Sequence, residues 1–348
     1  MVRYAVIGYG LAGATFHAPV ISATPGAELA AVVVRSADAA ARVRTTYPDV
    51  SIVGDVTGLN DLQIDAGVVA TPNDTHADVA TELLESGIAA VVDKPLAATA
   101  AEARALVDLA EVRGVALTCY QNRRWDGDFL TVRSLQDSGA IGRIHRFESR
   151  FERWRPTVKA GWKEVPGPGS GVLWDLGPHV VDQALTLLGP AESVSGSARI
   201  IRPGAVVPDD AFVRIVHAGG AESHLSVSHV AAAPGPRFRV LGTRGAYVKD
   251  GLDPQEDALR TGRVPGGADW GTEDPAAWGT IISGNPAQAE PVPTEPGDYP
   301  AFYRQLTAAL SGNGPLPVDP RDSVAALEIL EAIPVGAVVD RGTPGLPR

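Results

Sequence analysis

The sequence predicts an α/β protein in two parts: a doubly wound parallel sheet, followed by an α+β domain with a mostly antiparallel sheet and helices on one side. Three observations carry this. Through residue 119, short continuous apolar runs alternate with helix-like stretches, the pattern of strands covered on both faces. After Tyr120 the texture changes to runs of strands with fewer helices. Gly8-Tyr9-Gly10-Leu11-Ala12-Gly13 falls directly between the first apolar run and the first helix-like stretch. At 348 residues the chain is long enough for two domains and a sizeable core, with the boundary placed at Cys119 to give 1–119 and 120–348.

The strands of the first part are read at Tyr4–Ile7, Leu29–Val34, Ser51–Val53, Ala66–Ala70, Ala89–Val92 and Val115–Thr118. Helices fill Leu11–Ser22, Ala37–Thr46, Asp74–Glu85 and Thr99–Val112, the last two stopped by Gly87 and Gly114. In the second part a helix is read at Phe129–Asp137 and a period-2 strand at Arg143–Trp154. The loop "EVPGPGSG" then leads to a helix opening at Pro178 and ending at Leu188. Strands follow at Val194–Ile201, Ala211–His217, Glu222–Val230 and Phe238–Gly242. Gly251 to Pro300, rich in Gly and Pro, reads as long ordered loop, and helices at Tyr299–Leu310 and Asp322–Ala332 close the chain. No repeat of 20 to 50 residues is present.

The glycine turn is the first chemical signal. Gly8 allows a tight turn, Gly10 lets the backbone approach a pyrophosphate, and Gly13 permits close helix–strand packing, while the helix start offers unpaired N–H groups to an anion. Tyr9, Leu11 and Ala12 complete this cofactor-binding loop of a Rossmann domain. Where the second strand ends, an NAD-preferring site carries Asp or Glu for the ribose 2′-hydroxyl. Here Arg35 and Ser36 stand instead, a pair that suits a 2′-phosphate, so NADP(H) is expected over NAD(H). Asp38 keeps the ribose contact open.

Three polar clusters lie at carboxyl ends of strands, where open α/β sheets collect ligands. They are Thr71-Pro72-Asn73 with His76, Asp93-Lys94-Pro95, and Tyr120-Gln121-Asn122-Arg123. Only four of the 30 Lys and Arg residues are lysines, which makes Lys94, whose direction Pro95 restricts, a candidate acid–base group beside a cationic nicotinamide. The second part supplies "GVLWDLGPHVVDQAL" (171–185), in which Asp175 and His179 stand four apart. A carboxylate on one ring nitrogen would orient the other toward a substrate hydroxyl; Asp182, one turn on, is the alternative partner. His145, His217, His224 and His229 fall in strands without metal-ligand spacing and read as structural, and His17 faces either the nicotinamide or the domain interface. Arg150 to Glu164 reads as a strand and loop with Arg153, Trp162 and Lys163 facing a polar-substrate pocket, the alternative being a plain edge strand.

Bulk properties exclude several classes. A net charge of −11 disfavours nucleic acid, and no run of about 18 apolar residues could span a bilayer. The opening "MVRYAVIGYG" enters a strand at once and lacks the regions of a signal peptide, and Cys119 is the sole cysteine. A reducing cytoplasm, no disulfide and no cysteine-held zinc are expected, with no metal assigned.

Taken together, G-x-G-x-x-G, T-P-N-x-x-H, the lysine–proline after the fifth strand and Gly169–His179 resemble the hallmarks of the Gfo/Idh/MocA oxidoreductase family. Ser170 interrupts the glycines of the last motif, and Asp93 replaces the family's usual glutamate. "FHAP", "QNRRWDGDF" and "DGLDPQEDALRTG" resemble its NADP-dependent scyllo-inositol dehydrogenase branch. The resemblance implies a Rossmann domain plus a domain with a large open sheet, and a homodimer or homotetramer formed through that sheet. It implies Lys94, Asp175 and His179 as catalytic residues, with either His179 or Lys94 as the acid–base, and Thr71, Asn73, His76, Asp93 and Asn122 near the cofactor. Tyr120, Arg153, Trp162, Asp175 and His179 would meet a sugar or polyol. Two other functions remain open: a non-catalytic dinucleotide or sugar sensor, and a lyase or glycosidase that recycles its nicotinamide.

Overall fold

A computed structural model describes residues 1–159, 161, 164–167 and 169–337. The first sheet has six parallel strands, β1 (Val2–Ile7), β2 (Ala27–Val33), β3 (Ser51–Val53), β4 (Ala66–Val69), β5 (Ala89–Asp93) and β6 (Leu117–Tyr120), in the order β3-β2-β1-β4-β5-β6. β4 is buried throughout and β5 up to Asp93, as strands covered on both faces must be. The covering helices are α1 (Ala18–Ala23), α2 (Ala37–Thr46), α3 (His76–Glu85) and α4 (Ala100–Arg113). Their starts follow from local chemistry: the Ser36 hydroxyl accepts the Ala39 N–H, and Thr99 with Glu102 forms a capping box. The order reverses between β1 and β4, so the crevice for a ligand opens above their carboxyl ends.

The turn out of β1 works as its glycines demand. Gly8 has φ +94° and a Cβ there would lie 2.7 Å from the Ala70 carbonyl oxygen; a Cβ on Gly13 would lie 2.0 Å from the Gly8 carbonyl oxygen. The first helix opens with a π-helical turn, Gly13–His17, before α1.

The second sheet has nine strands, in the order β14-β13-β12-β11-β7-β10-β9-β8-β15. In chain order these are β7 (Ile144–Glu152), β8 (Ala191–Ile200), β9 (Asp210–His217), β10 (Glu222–Ser228), β11 (Phe238–Gly242), β12 (Gly245–Lys249), β13 (Gly279–Ser283), β14 (Gln288–Val292) and β15 (Val335–Ala337). Pairing is antiparallel except for β7 with β10 and β8 with β15. β7 is therefore the middle strand, which disposes of the edge-strand alternative. α5 (Gly127–Asp137), α6 (Val172–Leu188) and α9 (Pro320–Glu331) contribute Phe129, Val180 and Leu330 to one core with Phe147, Val213, Leu225 and Val240.

Two expectations fail. Gly251 to Pro300 is not merely loop: it contains α7 (Gln255–Arg260), β13 and β14. These elements are short, and "QAEPV" in β14 is an exposed edge sequence with no apolar alternation to reveal it. α6 begins at Val172 rather than at Pro178, its N-cap being Gly171 at φ +84°. Pro178 reads as a helix start in the sequence, but it lies inside the helix and leaves the Trp174 carbonyl without an N–H partner four residues on.

α8 (Pro300–Leu310) and α9 return to the first sheet. Phe302 and Tyr303 pack on Tyr120, Val324 and Leu327 join the first core, and the Thr118 hydroxyl donates to the Val318 carbonyl at 2.8 Å. No helix among the described residues is long and apolar enough to cross a membrane.

A buried ion cluster fixes α6 against the chain leaving β6. Arg124 donates to both carboxylate oxygens of Asp182 at 2.9 and 2.6 Å, and to Asp322 of α9 at 2.8 Å. Burial pushes the Asp182 carboxyl up despite this guanidinium, so removing the cation strands a costly charge. Urea unfolding of Arg124→Ala should show a loss of about 3–5 kcal/mol. Gly13→Ala should lose about 1–3 kcal/mol in the same measurement, because the Gly8 backbone must shift.

Candidate active site

The carboxyl ends of four strands of the first sheet, together with α6 and α7, border a cleft of about 520 Å³. From the first part, Gly10, Leu11 and Ala12, Thr71 and Asn73, Asp93 and Lys94, and Tyr120 and Asn122 line it; from the second come Arg153, Asp175 and His179. A larger surface depression of about 680 Å³, bordered by Gln136, Arg143 and Thr243, holds none of these groups.

Lys94 follows the last residue of β5, joined to Pro95 by a cis bond. Its ammonium crosses to α6, where Nζ donates to the Asp175 carbonyl at 2.6 Å and lies 3.6 Å from Asp175 Oδ1. Asp175 stands in the first turn of α6, so its carbonyl and its carboxylate both lie within reach of the amine. The carboxylate thus faces the Lys94 side. Asp182, the alternative partner for His179, is instead held by Arg124 through both carboxylate oxygens.

His179 is 6% exposed, with its ring stacked 6.4 Å from that of Phe151. Three guanidinium groups surround the same phenyl ring: Arg123 and Arg153 at 4.8 Å and Arg237 at 5.4 Å. Arg237 also donates to Gln183 at 2.7 Å, and Gln183 donates to the Arg123 carbonyl at 2.8 Å, which locks the turn of α6 following His179.

Asp93 sits below Lys94. Its Oδ1 accepts the Lys94 backbone N–H at 2.8 Å, and Oδ2 lies 3.8 Å from His17 Nε2. Burial works to raise its carboxyl, but His17, Lys94 and His76 together hold it below the usual range. His17 is fully buried at the contact with α8, its Nδ1 2.7 Å from the Tyr303 hydroxyl and its ring 4.4 Å from Tyr120. Of its two expected positions, it takes the interface. Tyr120 is buried, which drives its phenol well above the ordinary value. His76 bridges two strand ends, with Nδ1 2.8 Å from the Pro95 carbonyl and Nε2 3.0 Å from the Thr71 carbonyl, and so acts behind the cleft wall.

The residues fit a dinucleotide. A Cβ on Gly10 would meet no protein atom within 4 Å, so this loop borders open space where a pyrophosphate needs backbone approach, at a helix start. Arg35 and Ser36 stand exposed at the end of β2, outside the residues lining the cleft, with Ser36 also capping α2.

Trp162 and Lys163 lie outside the described residues. His217 is held by the Gly189 carbonyl and the Ser223 hydroxyl, and His224 by Glu222. His229 is buried, which lowers its pKa, and His145 is exposed.

Sequence reading missed several cleft residues. Arg155 shares the inward face with Arg153, as their spacing of two announces, while Trp154 between them is 57% exposed. Glu256 and Arg260 come from α7, within the stretch whose Gly and Pro content reads as loop. Outside the cleft lining, Arg42 lies over the Tyr9 ring and donates to the Tyr9 carbonyl at 3.0 Å; a helical arginine carries no signal of that contact.

Comparison with known proteins accords with this geometry. Residues 2–121 match the oxidoreductase family with the NAD-binding Rossmann fold, and residues 129–248 match the GFO/IDH/MocA C-terminal domain. The uncharacterized oxidoreductase YdgJ of Escherichia coli K12 is 42% identical over 331 residues, covering 95% of this chain and 94% of that protein. The scyllo-inositol 2-dehydrogenase (NADP(+)) IolW of Bacillus subtilis 168 is 32% identical over 334 residues, covering 95% and 92%. The solved structure of yvaA from Bacillus subtilis superposes with a TM-score of 0.90 at 30% identity, covering 95% and 94%. An oxidoreductase from Bacillus cereus gives 0.86 at 28%, covering 95% of each chain. Both halves of the sequence and the shape of the whole thus lead to one conclusion: this chain belongs to the Gfo/Idh/MocA family of NAD(P)-binding oxidoreductases.

Proposed function

We propose that the protein transfers a hydride between NADP(H) and a secondary hydroxyl, or the matching ketone, of a sugar or cyclic polyol. The observation that carries this reading is the convergence of Lys94, Asp175 and His179 on a cleft bordered by the glycine loop. The bound nicotinamide supplies or accepts the hydride. The chain's own residues handle the proton: in the oxidative direction His179 or Lys94 accepts it from the substrate hydroxyl, and in reduction the same group returns it. The ammonium and its neighbouring arginines stabilise negative charge developing on that oxygen. Asp175 is a positioning residue, its carbonyl and carboxylate restraining Nζ. Tyr120 and Arg153 shape the substrate end, and Asn73 and Asn122 line the cleft beside the loop. Similarity to IolW, a scyllo-inositol 2-dehydrogenase (NADP(+)), supports an inositol-like substrate and NADP.

NADP preference rests on Arg35 and Ser36 at the end of β2, with Arg42 close behind over Tyr9. Assembly through the second sheet is proposed from its broad uncovered face, on which Phe212 is 38% exposed; light scattering should give two or four times 36.2 kDa.

Lys94→Met should lower turnover of scyllo-inositol with NADP by about 10²–10⁴-fold. Its dissociation constant for NADPH, read by fluorescence titration, should stay near that of the parent protein. Undiminished turnover would exclude Lys94 from the chemistry. Arg35→Asp should weaken NADPH binding by about tenfold or more while NADH binding holds or improves, since a carboxylate repels the 2′-phosphate.

A further inference from the structure

Among the described lining residues, the cleft has five cationic side chains (Lys94, Arg123, Arg153, Arg155, Arg260) against three carboxylates. This is the reverse of the chain as a whole, whose net charge is −11. The three carboxylates are engaged: Glu256 by Arg123 and Arg260, Asp175 by Lys94, and Asp93 by His17 and Lys94. Arg153 and Arg155 are left without a carboxylate or hydrogen-bonded side-chain partner among the described residues, although both are partly buried. Arg153 stacks on Phe151, with no ion pair to it among the described residues. Burial, with Arg155 and Arg123 nearby, pulls its guanidinium below the ordinary value against the weaker pull of Glu256 and Asp175.

Both arginines are held firmly by their backbones. Arg153 N–H donates to the Ser228 carbonyl and Arg155 N–H to the His229 carbonyl, each at 2.8 Å. The Arg155 carbonyl accepts from Arg202 at 3.3 Å, and Arg202 is itself fixed by Asp209 and Glu164. Two guanidinium groups that lack a carboxylate partner among the described residues, on a hydrogen-bonded backbone in the cleft that His179 also lines, form a receptor for an anion. A neutral polyol would leave both charges desolvated and unmatched, an expensive arrangement to maintain.

We infer that the substrate is an anionic sugar or polyol, whose carboxylate or phosphate is held by Arg153 and Arg155 while the reacting hydroxyl faces Lys94 and His179. This rests on the proposed hydride-transfer function, and the test separates the two. With NADP⁺ saturating, kcat/KM is measured for D-glucose, D-glucuronate and D-glucose 6-phosphate. In parallel, calorimetry gives the dissociation constant of each for the enzyme–NADP⁺ complex.

The expected result is that at least one of the two anions outperforms glucose tenfold or more, in turnover and in binding, and which one does identifies the carboxylate or the phosphate. Arg153→Gln and Arg155→Gln should each reduce that advantage about 10- to 100-fold, and Arg155→Lys should restore part of it. Preferential binding that depends on the arginines, without turnover, would sustain the anion site and reject these sugars as hydride donors. Glucose binding as tightly as both anions, or an advantage that Arg155→Gln leaves intact, would overturn the inference and leave hydride transfer standing. So would a loss of NADPH affinity in Arg155→Gln equal to the loss for the sugar, which would assign the arginines to the cofactor.

Discussion

Lys94 Nζ reaches out of the first sheet to a carbonyl on α6, and the candidate site depends on that bridge. The contact joins residues 81 positions apart in the chain and brings an amine from one domain to the helix carrying His179. Two features of the sequence prepare it. Lys94 emerges at the end of a buried parallel strand, and Asp175 stands in the first turn of α6, where its carbonyl and carboxylate both lie toward the amine. α6 cannot drift, because Arg124 clamps Asp182 and Gln183 ties to Arg237 and Arg123. Gly177 presses its backbone against Leu330, where a Cβ would come within 2.7 Å. The distance between amine and imidazole is thereby set by packing on both sides.

The electrostatic design follows from the same scaffold. Asp93 stays ionised beneath Lys94 because His17, Lys94 and His76 outweigh its burial. His17 is in turn gripped by Tyr303 from α8, so the C-terminal helices support the cofactor side of the cleft as well as closing the first core. On the substrate side, guanidinium groups gather around Phe151, whose ring both stacks on His179 and offers its π-face to cations. An acidic chain thus lines this cleft with more cationic than anionic side chains among the described residues.

Much of this was legible in the sequence, for definite reasons. The parallel sheet announced itself because buried strands are continuous apolar runs, and the glycine turn because its spacing encodes three separate steric demands. Lys94, Asp175 and His179 stood out as scarce or paired polar residues in apolar surroundings, and they do line one cleft. What stayed hidden was tertiary. The start of α6 was misplaced because proline at a helix start and proline inside a helix read alike in one dimension. α7 and the β13–β14 hairpin were lost among Gly and Pro, and with them Glu256 and Arg260. The partner of Asp182 could not be found from spacing, because Arg124 arrives from 58 residues away.

The central claim is that Lys94 and His179 act on one substrate oxygen at a dinucleotide held by the glycine loop. Its most direct test is a crystal structure of the ternary complex with NADP⁺ and a turned-over substrate. The account predicts a single substrate hydroxyl within hydrogen-bond distance of both Lys94 Nζ and the His179 ring, with its carbon facing the nicotinamide. A reacting hydroxyl that touches neither group, or a nicotinamide lying away from the Lys94–Asp175 bridge, would contradict it.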